Sequence, residues 1–407
     1  MIPIEQALDH VLAAAPRLPA EQVLLDRAIG RVLRESLEAP HDFPAFDRVM
    51  MDGFAVRADD LSSTDTLPLI GESAAGTTDR VELTPGSCVQ VMTGGPLPVG
   101  ADAVVKVEQT TRDGDLISFG SPVRAGQHFA PRGEEARAGD TLLSPGCVLG
   151  PVGIANVGAS GRAQVWVSRL PSLAVVSTGD ELVPVNSTPE RHQIRDTNSW
   201  ALAAQARAEG LTDVVRLHAR DDADELRDVL GQALEHDLVV ISGGVSMGKY
   251  DLVPGTLAEL GVEQVFHKVF QKPGKPLWFG TRGQTLVFGA PGNPLSTSLT
   301  FHVYVRPAIA KMVGRDTEDP RFSGALARDL TVKSKRDLFL FARAEADGDE
   351  LRVHPLAGRG SADIFTPARA NALLTFPAGR HELTAGQQVA FRLLGPNPET
   401  GAGGNGT

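Results

Sequence analysis

Between Pro3 and Ala15 the apolar residues Ile4, Leu8, Val11 and Leu12 recur at helical spacing, which predicts an amphipathic helix. From Ala39 to about Gly126 the pattern changes to short apolar runs, such as Val89–Met92 and Ala103–Val107, separated by Gly, Pro, Asp and Ser clusters. That is a β-rich module with frequent turns. Pro131 to Arg169 reads as a further mixed segment.

The middle of the chain has a different texture. Leu173–Val176 is a fully apolar strand followed by the loop Ser177–Glu181, a helix near Asn198–Glu209 and a strand near Val214–Leu217. A helix near Asp222–Leu234 leads to the strand Leu238–Ile241. Further on, Leu286–Phe288 enters a turn at Gly289–Pro294 and then a long apolar-striped helix to about Met312. Strands alternating with helices predict a parallel sheet covered on both faces, with ligands at the carboxyl ends of its strands. After Asp319 short strands return, Leu338–Ala342 and Gln388–Phe391 among them, as expected of a small C-terminal β domain. Pro396–Thr407 is Gly-rich and polar and reads as a disordered tail.

Composition narrows the class. A chain of 407 residues suggests two to four domains, and 42% apolar with 22% charged residues is an ordinary globular balance. The net charge of −11 argues against a nucleic-acid-binding surface, though not against a local basic pocket. Cys88 and Cys147 cannot make a disulfide framework or a zinc cage by themselves. Glu5 and Asp9 precede the run Val11–Ala15, which is unlike a signal peptide. The uncharged stretch Thr141–Gly161 is too broken by Gly and Pro for a membrane helix. The expectation is a soluble, cytoplasmic protein.

Candidate chemistry lies in the loops. Gly243–Tyr250 follows a predicted strand and nearly fits a P-loop, but Tyr250 stands where a short hydroxyl must reach a metal. It also nearly fits a nucleophile elbow around Ser246, but Asp251, Pro254 and Gly255 follow where a helix should begin. The better reading is a glycine-rich loop, Gly243 and Gly244 foremost, whose backbone N–H groups line a ligand site. Lys272-Pro273-Gly274-Lys275-Pro276 sets two ammonium groups on a stiff loop in a chain otherwise poor in lysine, a clamp for a phosphate or oxyanion. In Pro291-Gly292-Asn293-Pro294-Leu295-Ser296, Asn293 fits a helix N-cap and Pro294 the first helical position, so free N–H groups there would attract an anion. Acids stand in turn contexts at Asp52, Glu134, Glu135, Asp180, Glu181, Asp221, Asp222 and Asp251, and could together hold Mg²⁺. No histidine cluster suggests zinc, and no G-x-G-x-x-G suggests a dinucleotide.

These motifs occur with Phe46-Asp47, Met51–Val56, Met92–Pro98, Arg132-Gly133-Glu134, Ser177–Leu182 and Asp196-Thr197-Asn198 in one order from about residue 3 to 393. In that order the chain resembles the molybdopterin molybdenumtransferases, the MoeA family that includes the C-terminal domain of gephyrin. The resemblance implies a homodimer of multidomain α/β subunits. A central α/β/α parallel-sheet domain, similar to molybdopterin adenylyltransferases, would comprise residues 1–25 and 170–317. A connecting domain would take 26–45 and 130–169, a β-rich domain 46–129, and a C-terminal β-barrel 318–395, with 396–407 as the tail.

The resemblance also implies an activity: Mg²⁺-dependent insertion of molybdate, the co-substrate, into adenylylated molybdopterin, releasing AMP and water. A molybdopterin adenylyltransferase and molybdoenzyme-maturation proteins are implied partners; nucleic acid and membrane are not. Asp52, Thr93, Glu181, Asp221, Asp251, Lys272, Lys275 and Ser361 match family positions tied to activity or binding. Of these Asp52, Glu181, Asp251, Lys272 and Lys275 are the expected catalytic set. Thr93, Gly243, Gly244, Ser246, Pro291, Gly292, Asn293, Pro294, Ser296 and Ser361 would bind substrate, and Asp52, Glu135, Glu181 and Asp221 the metal. In the family the cleft gathers the central domain of one subunit and the β-rich domain of the other, which would bring Asp52 and Thr93 to Glu181 across the dimer. This chain carries Glu135 where many relatives have Asp, one methylene longer. A scaffold without catalysis and an adenylyltransferase are the competing readings. The first has no need of Asp52, Glu181, Lys272 and Lys275; the second has no need of the flanking domains.

Overall fold

A computed structural model describes residues 1–74, 76, 81–245, 252–317, 320–358 and 360–395. The chain divides into two units, Met1–Glu21 with Ser168–Thr407, and Gln22–Val167. The expected tail, Ser246 and Asp251 lie outside the described residues.

The first unit is built on helix α1 (Ile4–Ala14) and the strands β1 (Leu173–Thr178), β2 (Val214–Ala219), β3 (Leu238–Ser242), β4 (Glu263–His267), β5 (Trp278–Arg282) and β6 (Thr285–Ala290), in the order β2-β1-β3-β6-β5-β4. β2, β1, β3 and β6 are parallel. The two remaining strands refine the expected parallel sheet. β5 runs antiparallel to β6 because Gly283 and Gln284 join them in a tight hairpin, too short for a crossover helix, and β4 in turn runs antiparallel to β5.

Side chains along each strand alternate between two cores. Leu173, Val175, Leu238 and Val240 face a layer that includes Ile4, Ala7 and Val11 of α1, so the N-terminal helix belongs to this domain. The same layer takes Leu202 and Ala206 of α2 (Asn198–Ala208). Ala174, Val176, Val239 and Ile241 face α3 (Ala223–Ala233) and α4 (Val253–Glu259). Burial on both faces explains why these strands read as continuous apolar runs. The long helix after β6 is α5 (Pro294–Thr300) and α6 (Arg306–Val313) joined by a π-helical stretch, Phe301–Val305. Pro307 cannot donate a helical hydrogen bond, and the wider turn ahead of it accommodates that loss.

The same unit ends in a closed five-stranded barrel of β7 (Arg321–Leu326), β8 (Asp337–Asp347), β9 (Glu350–Pro355), β10 (Ala372–Phe376) and β11 (Gln388–Leu393). The circuit runs β8-β9-β7-β11-β10 and back to β8. Its interior holds Leu326, Val353, Leu374 and Phe391, while Phe339, Phe341 and Leu373 join the core beneath α1. The short strand Gln271–Lys272 pairs with β8, so the barrel and the α/β domain share a ladder.

The second unit contains a six-stranded sheet in the order Ala103–Lys106, Gly53–Val56, Cys88–Val91, Thr66–Ser73, Leu116–Phe119 and Thr110–Asp113. It also contains a separate core around Leu33, Leu37, Leu149, Val157 and Val167. The uncharged stretch near 141–161 forms a helix over Pro151–Ala159 only. Among the described residues no helix is long and apolar enough to cross a membrane.

Candidate functional site

The carboxyl ends of β1, β3 and β6 meet at small residues. Gly243 and Gly244 follow β3 with φ of +98° and +64°. A Cβ on Gly243 would sit 3.0 Å from the carbonyl and hydroxyl oxygens of Thr178, and one on Gly244 would sit 2.6 Å from Val253. Only glycine fits both the conformation and the space. Gly292 lies against Gly243, 3.6 Å from where its own Cβ would project. Gly243 and Gly244 therefore make a tight turn at the sheet edge. The Thr178 hydroxyl beside it is buried with no hydrogen-bond partner among the described residues.

Asn198 holds this edge together. Its Nδ2 donates to Ser242 Oγ at 2.8 Å and to the Gly292 carbonyl at 2.7 Å, linking the loops after β3 and β6 to the start of α2. Asp196 accepts from the hydroxyls of Ser177 and Ser199 and from the Ser199 amide. The motif Asp196-Thr197-Asn198 carries no assigned role in the sequence; its function is to brace loops distant along the chain.

The lysine loop is fixed from below. Buried Gln271 accepts from Tyr304 Oη at 2.5 Å and donates to the Gly274 carbonyl at 3.2 Å, and its own carbonyl accepts from Arg336 at 2.8 Å. Burial pushes the Tyr304 phenol well above its ordinary pKa, so it stays a neutral donor. Gly274, at φ +85°, leaves no room for a Cβ beside the Gln271 amide. Lys272 and Lys275 are exposed. They open, with Arg336, Asn293, Ser296 and Ser361, onto a cavity of about 520 Å³ whose apolar wall includes Leu338, Leu340 and Leu356. Three cations against a low-dielectric wall give this cavity a positive potential that would favour an anion.

The helix start next to it departs from expectation. Asn293 and Pro294 occupy the N-cap and first helical positions, but the Asn293 side chain makes no capping bond. It donates instead to Ser361 Oγ at 3.0 Å. The Leu295 amide is taken by the Ser361 carbonyl, and those of Ser296 and Thr297 by the Asn293 carbonyl. The amides expected to be free are thus satisfied internally, and the loop around Ser361 acts as the cap. Pro291 carries the carbonyl that accepts from Thr297. The anion-facing groups here are side chains rather than a bare helix end.

The acids fall into two groups. In the first unit Glu181 folds its carboxylate over Gly179, whose φ is +137°. Asp180 accepts from the Asp221 amide at 3.2 Å, and Asp222 caps α3. In the second unit Asp52 accepts from Thr93, whose amide and hydroxyl hold its carboxyl below the ordinary range. Glu135 forms an ion pair with Arg48.

Magnesium prefers carboxylate oxygens and waters in near-octahedral array. Yet Asp52 and Glu135 lie in one unit and Glu181 and Asp221 in the other, with Glu135 already engaged. Among the described residues no three His, Cys, Asp or Glu side chains stand together. The described residues of a single chain therefore do not gather a magnesium ligand set.

Three family models cover nearly the whole chain: the MoeA N-terminal region (domain I and II) over residues 2–161, a probable molybdopterin binding domain over 174–311, and the MoeA C-terminal region (domain IV) over 323–394. The chain is 31% identical to a molybdopterin molybdenumtransferase of Staphylococcus aureus (strain Mu50), over 96% of this chain and 95% of that one. It is also 31% identical to a molybdopterin molybdenumtransferase of Synechocystis sp., over 96% and 99% respectively. The crystal structure of the molybdopterin biosynthesis MoeA protein from Pyrococcus horikoshii OT3 superposes with a TM-score of 0.81 at 30% identity, covering 97% of this chain and all of that one. The chain belongs to the molybdopterin molybdenumtransferase family, MoeA.

Proposed function

We propose that the protein is a transferase of molybdenum cofactor biosynthesis that inserts molybdate into adenylylated molybdopterin, releasing AMP. The observation that carries this reading is the 520 Å³ cavity where Lys272, Lys275 and Arg336 converge with Ser361 beside the glycine-lined edge of the sheet. Both reactants are anions. The ammonium groups neutralise the oxyanion and the charge that develops as the phosphoanhydride breaks. Ser361 and Asn293 offer hydrogen bonds to its oxygens, and the backbone at Gly243 and Gly244 can approach a pyrophosphate closely.

Asp52 and Thr93 enter, in this reading, from a second copy of the chain and face Glu181 and Asp221. Ser246 is assigned to substrate binding and Asp251 to catalysis in this reading, by their places in the sequence motif. The reaction runs in the cytoplasm and takes its substrate from an adenylyltransferase.

Purified protein given adenylylated molybdopterin and molybdate should release AMP, with magnesium varied as a separate axis. Adenylylation of molybdopterin from ATP would mark an adenylyltransferase instead. Tight binding without turnover would mark a scaffold.

A further inference from the structure

Tyr304 is fully buried in the core that also holds Ala7, Phe339 and Phe341, where a phenylalanine would keep every apolar contact. Its hydroxyl donates to Gln271 Oε1 at 2.5 Å. Gln271 is also fully buried, in the short strand that opens the lysine loop. Polar side chains cost free energy in such a place unless they are paired, and an apolar pair of the same shape would pack as well. Packing alone gives no reason for either residue.

The loop supplies one. Gln271 Nε2 donates to the Gly274 carbonyl at 3.2 Å, and the Val269 amide donates to the Lys275 carbonyl at 2.9 Å, closing residues 269–275 into a ring. The Gln271 amide is a strut across that ring. Lys272 lies within the span of the strut and Lys275 one residue past it. A side-chain amide can be turned two ways, but the Gly274 carbonyl needs a donor, which points Nε2 at the loop and leaves Oε1 in need of a donor of its own. That donor is Tyr304 Oη.

Tyr304 stands on the π-helical stretch Phe301–Val305, an arrangement that recurs at functional positions. The stretch continues α5, whose Ser296 lines the lysine cavity. One buried bond thus ties the helix that carries Ser296 to the loop that carries both ammonium groups.

From this geometry we infer that Tyr304, acting through Gln271, is a positioning residue that sets the spacing of Lys272 and Lys275 for one oxyanion. The inference rests on the proposed function for the identity of that anion, molybdate. Neither Tyr304 nor Gln271 touches the ligand; both act through the loop.

The test uses full-length protein and molybdate alone, followed by titration calorimetry, and then AMP release. Tyr304→Phe removes one oxygen from the core and should weaken molybdate binding about tenfold, with a fall of similar size in turnover. Gln271→Leu should do the same. The double variant Gln271→Leu with Tyr304→Phe leaves neither member of the pair buried and unpaired. Its unfolding midpoint should therefore return toward wild type while its molybdate affinity stays low. In a Lys275→Ala background, Tyr304→Phe should weaken binding far less than in wild type, since the strut then has one charge fewer to place.

Unchanged molybdate affinity in folded Tyr304→Phe protein would overturn the inference. So would affinity that recovers together with stability in the double variant, or an equal loss from Tyr304→Phe with and without Lys275, since either reduces the pair to packing. Lys275-dependent weakening of molybdate binding by Tyr304→Phe, in a protein that releases no AMP from adenylylated molybdopterin, would support the positioning role and overturn the proposed function.

Discussion

Asp52 Oδ1 accepts two hydrogen bonds from one residue, the Thr93 amide at 2.7 Å and the Thr93 hydroxyl at 2.8 Å. The pair ties the turn before Gly53–Val56 to the turn after Cys88–Val91, antiparallel neighbours in the β-rich sheet. It commits one carboxylate oxygen and leaves the other open for the proposed chemistry. Thr93→Val keeps the amide bond and the side-chain shape but removes the hydroxyl. It should cut kcat/KM about tenfold. The Asp52 carboxyl should titrate at a higher pH, moving the acid limb of the rate profile upward, as a pH–rate comparison of the two proteins would reveal.

Lys275→Ala should lower AMP release on the order of a hundredfold, because the oxyanion cavity loses a fixed charge. Thermal stability should barely change, since the ammonium is exposed and forms no ion pair with a described residue. A large drop in melting temperature would instead make Lys275 a folding residue.

Asn198→Ala removes both bonds that tie Ser242 to Gly292. A loss of about 2 kcal/mol in denaturant unfolding is expected, with a fall in turnover as the two loops separate. Asn198→Asp should fail similarly, because an ionised carboxylate cannot donate to the Gly292 carbonyl.

Gly53 follows Asp52 for a steric reason. A Cβ there would overlap the Val105 carbonyl oxygen and lie 2.8 Å from its carbon, in the paired strand. Gly53→Ala should cost about 3 kcal/mol or more, and soluble yield with unfolding midpoint measures it.

His302 is held neutral inside the helix layer. Burial, with Arg306 nearby, lowers its pKa from 6.5 to about 4. Gln205 lies 2.9 Å from Nε2, and Nδ1 is buried with no partner among the described residues. Between those pH values the unfolded chain takes up a proton that the folded one refuses. The stability present above pH 6.5 is therefore lost as pH falls toward 4, by up to about 3 kcal/mol. His302→Gln should flatten that slope in unfolding titrations at pH 7 and 4.5; an equal slope would mean that His302 is protonated in the fold.

Much of the architecture could be read directly from periodicity. Runs such as Leu173–Val176 and Leu238–Ile241 announce strands buried on both faces, and the two lysines of the 272–276 loop open onto one cavity as their spacing suggests. What periodicity misses is long-range. Asn293 has the sequence of an N-cap, but Ser361, 68 residues on, captures its side chain and supplies the capping carbonyl. Arg336 and Leu338 join the lysine cavity through strand pairing that no local pattern encodes. The reversal of β5 is set by a two-residue turn, a weaker signal than the apolar run it interrupts.

The ladder between Gln271–Lys272 and Asp337–Leu338 makes the C-terminal barrel a wall of the lysine cavity rather than a passenger. Lys272 sits on a backbone whose neighbour is barrel strand, and Arg336, immediately before that strand, donates to the Gln271 carbonyl. A lesion deep among Leu326, Val353 and Phe391, remote from every charge, would thus loosen the cradle that orients the ammonium groups. Damage to this enzyme need not lie near its chemistry to silence it.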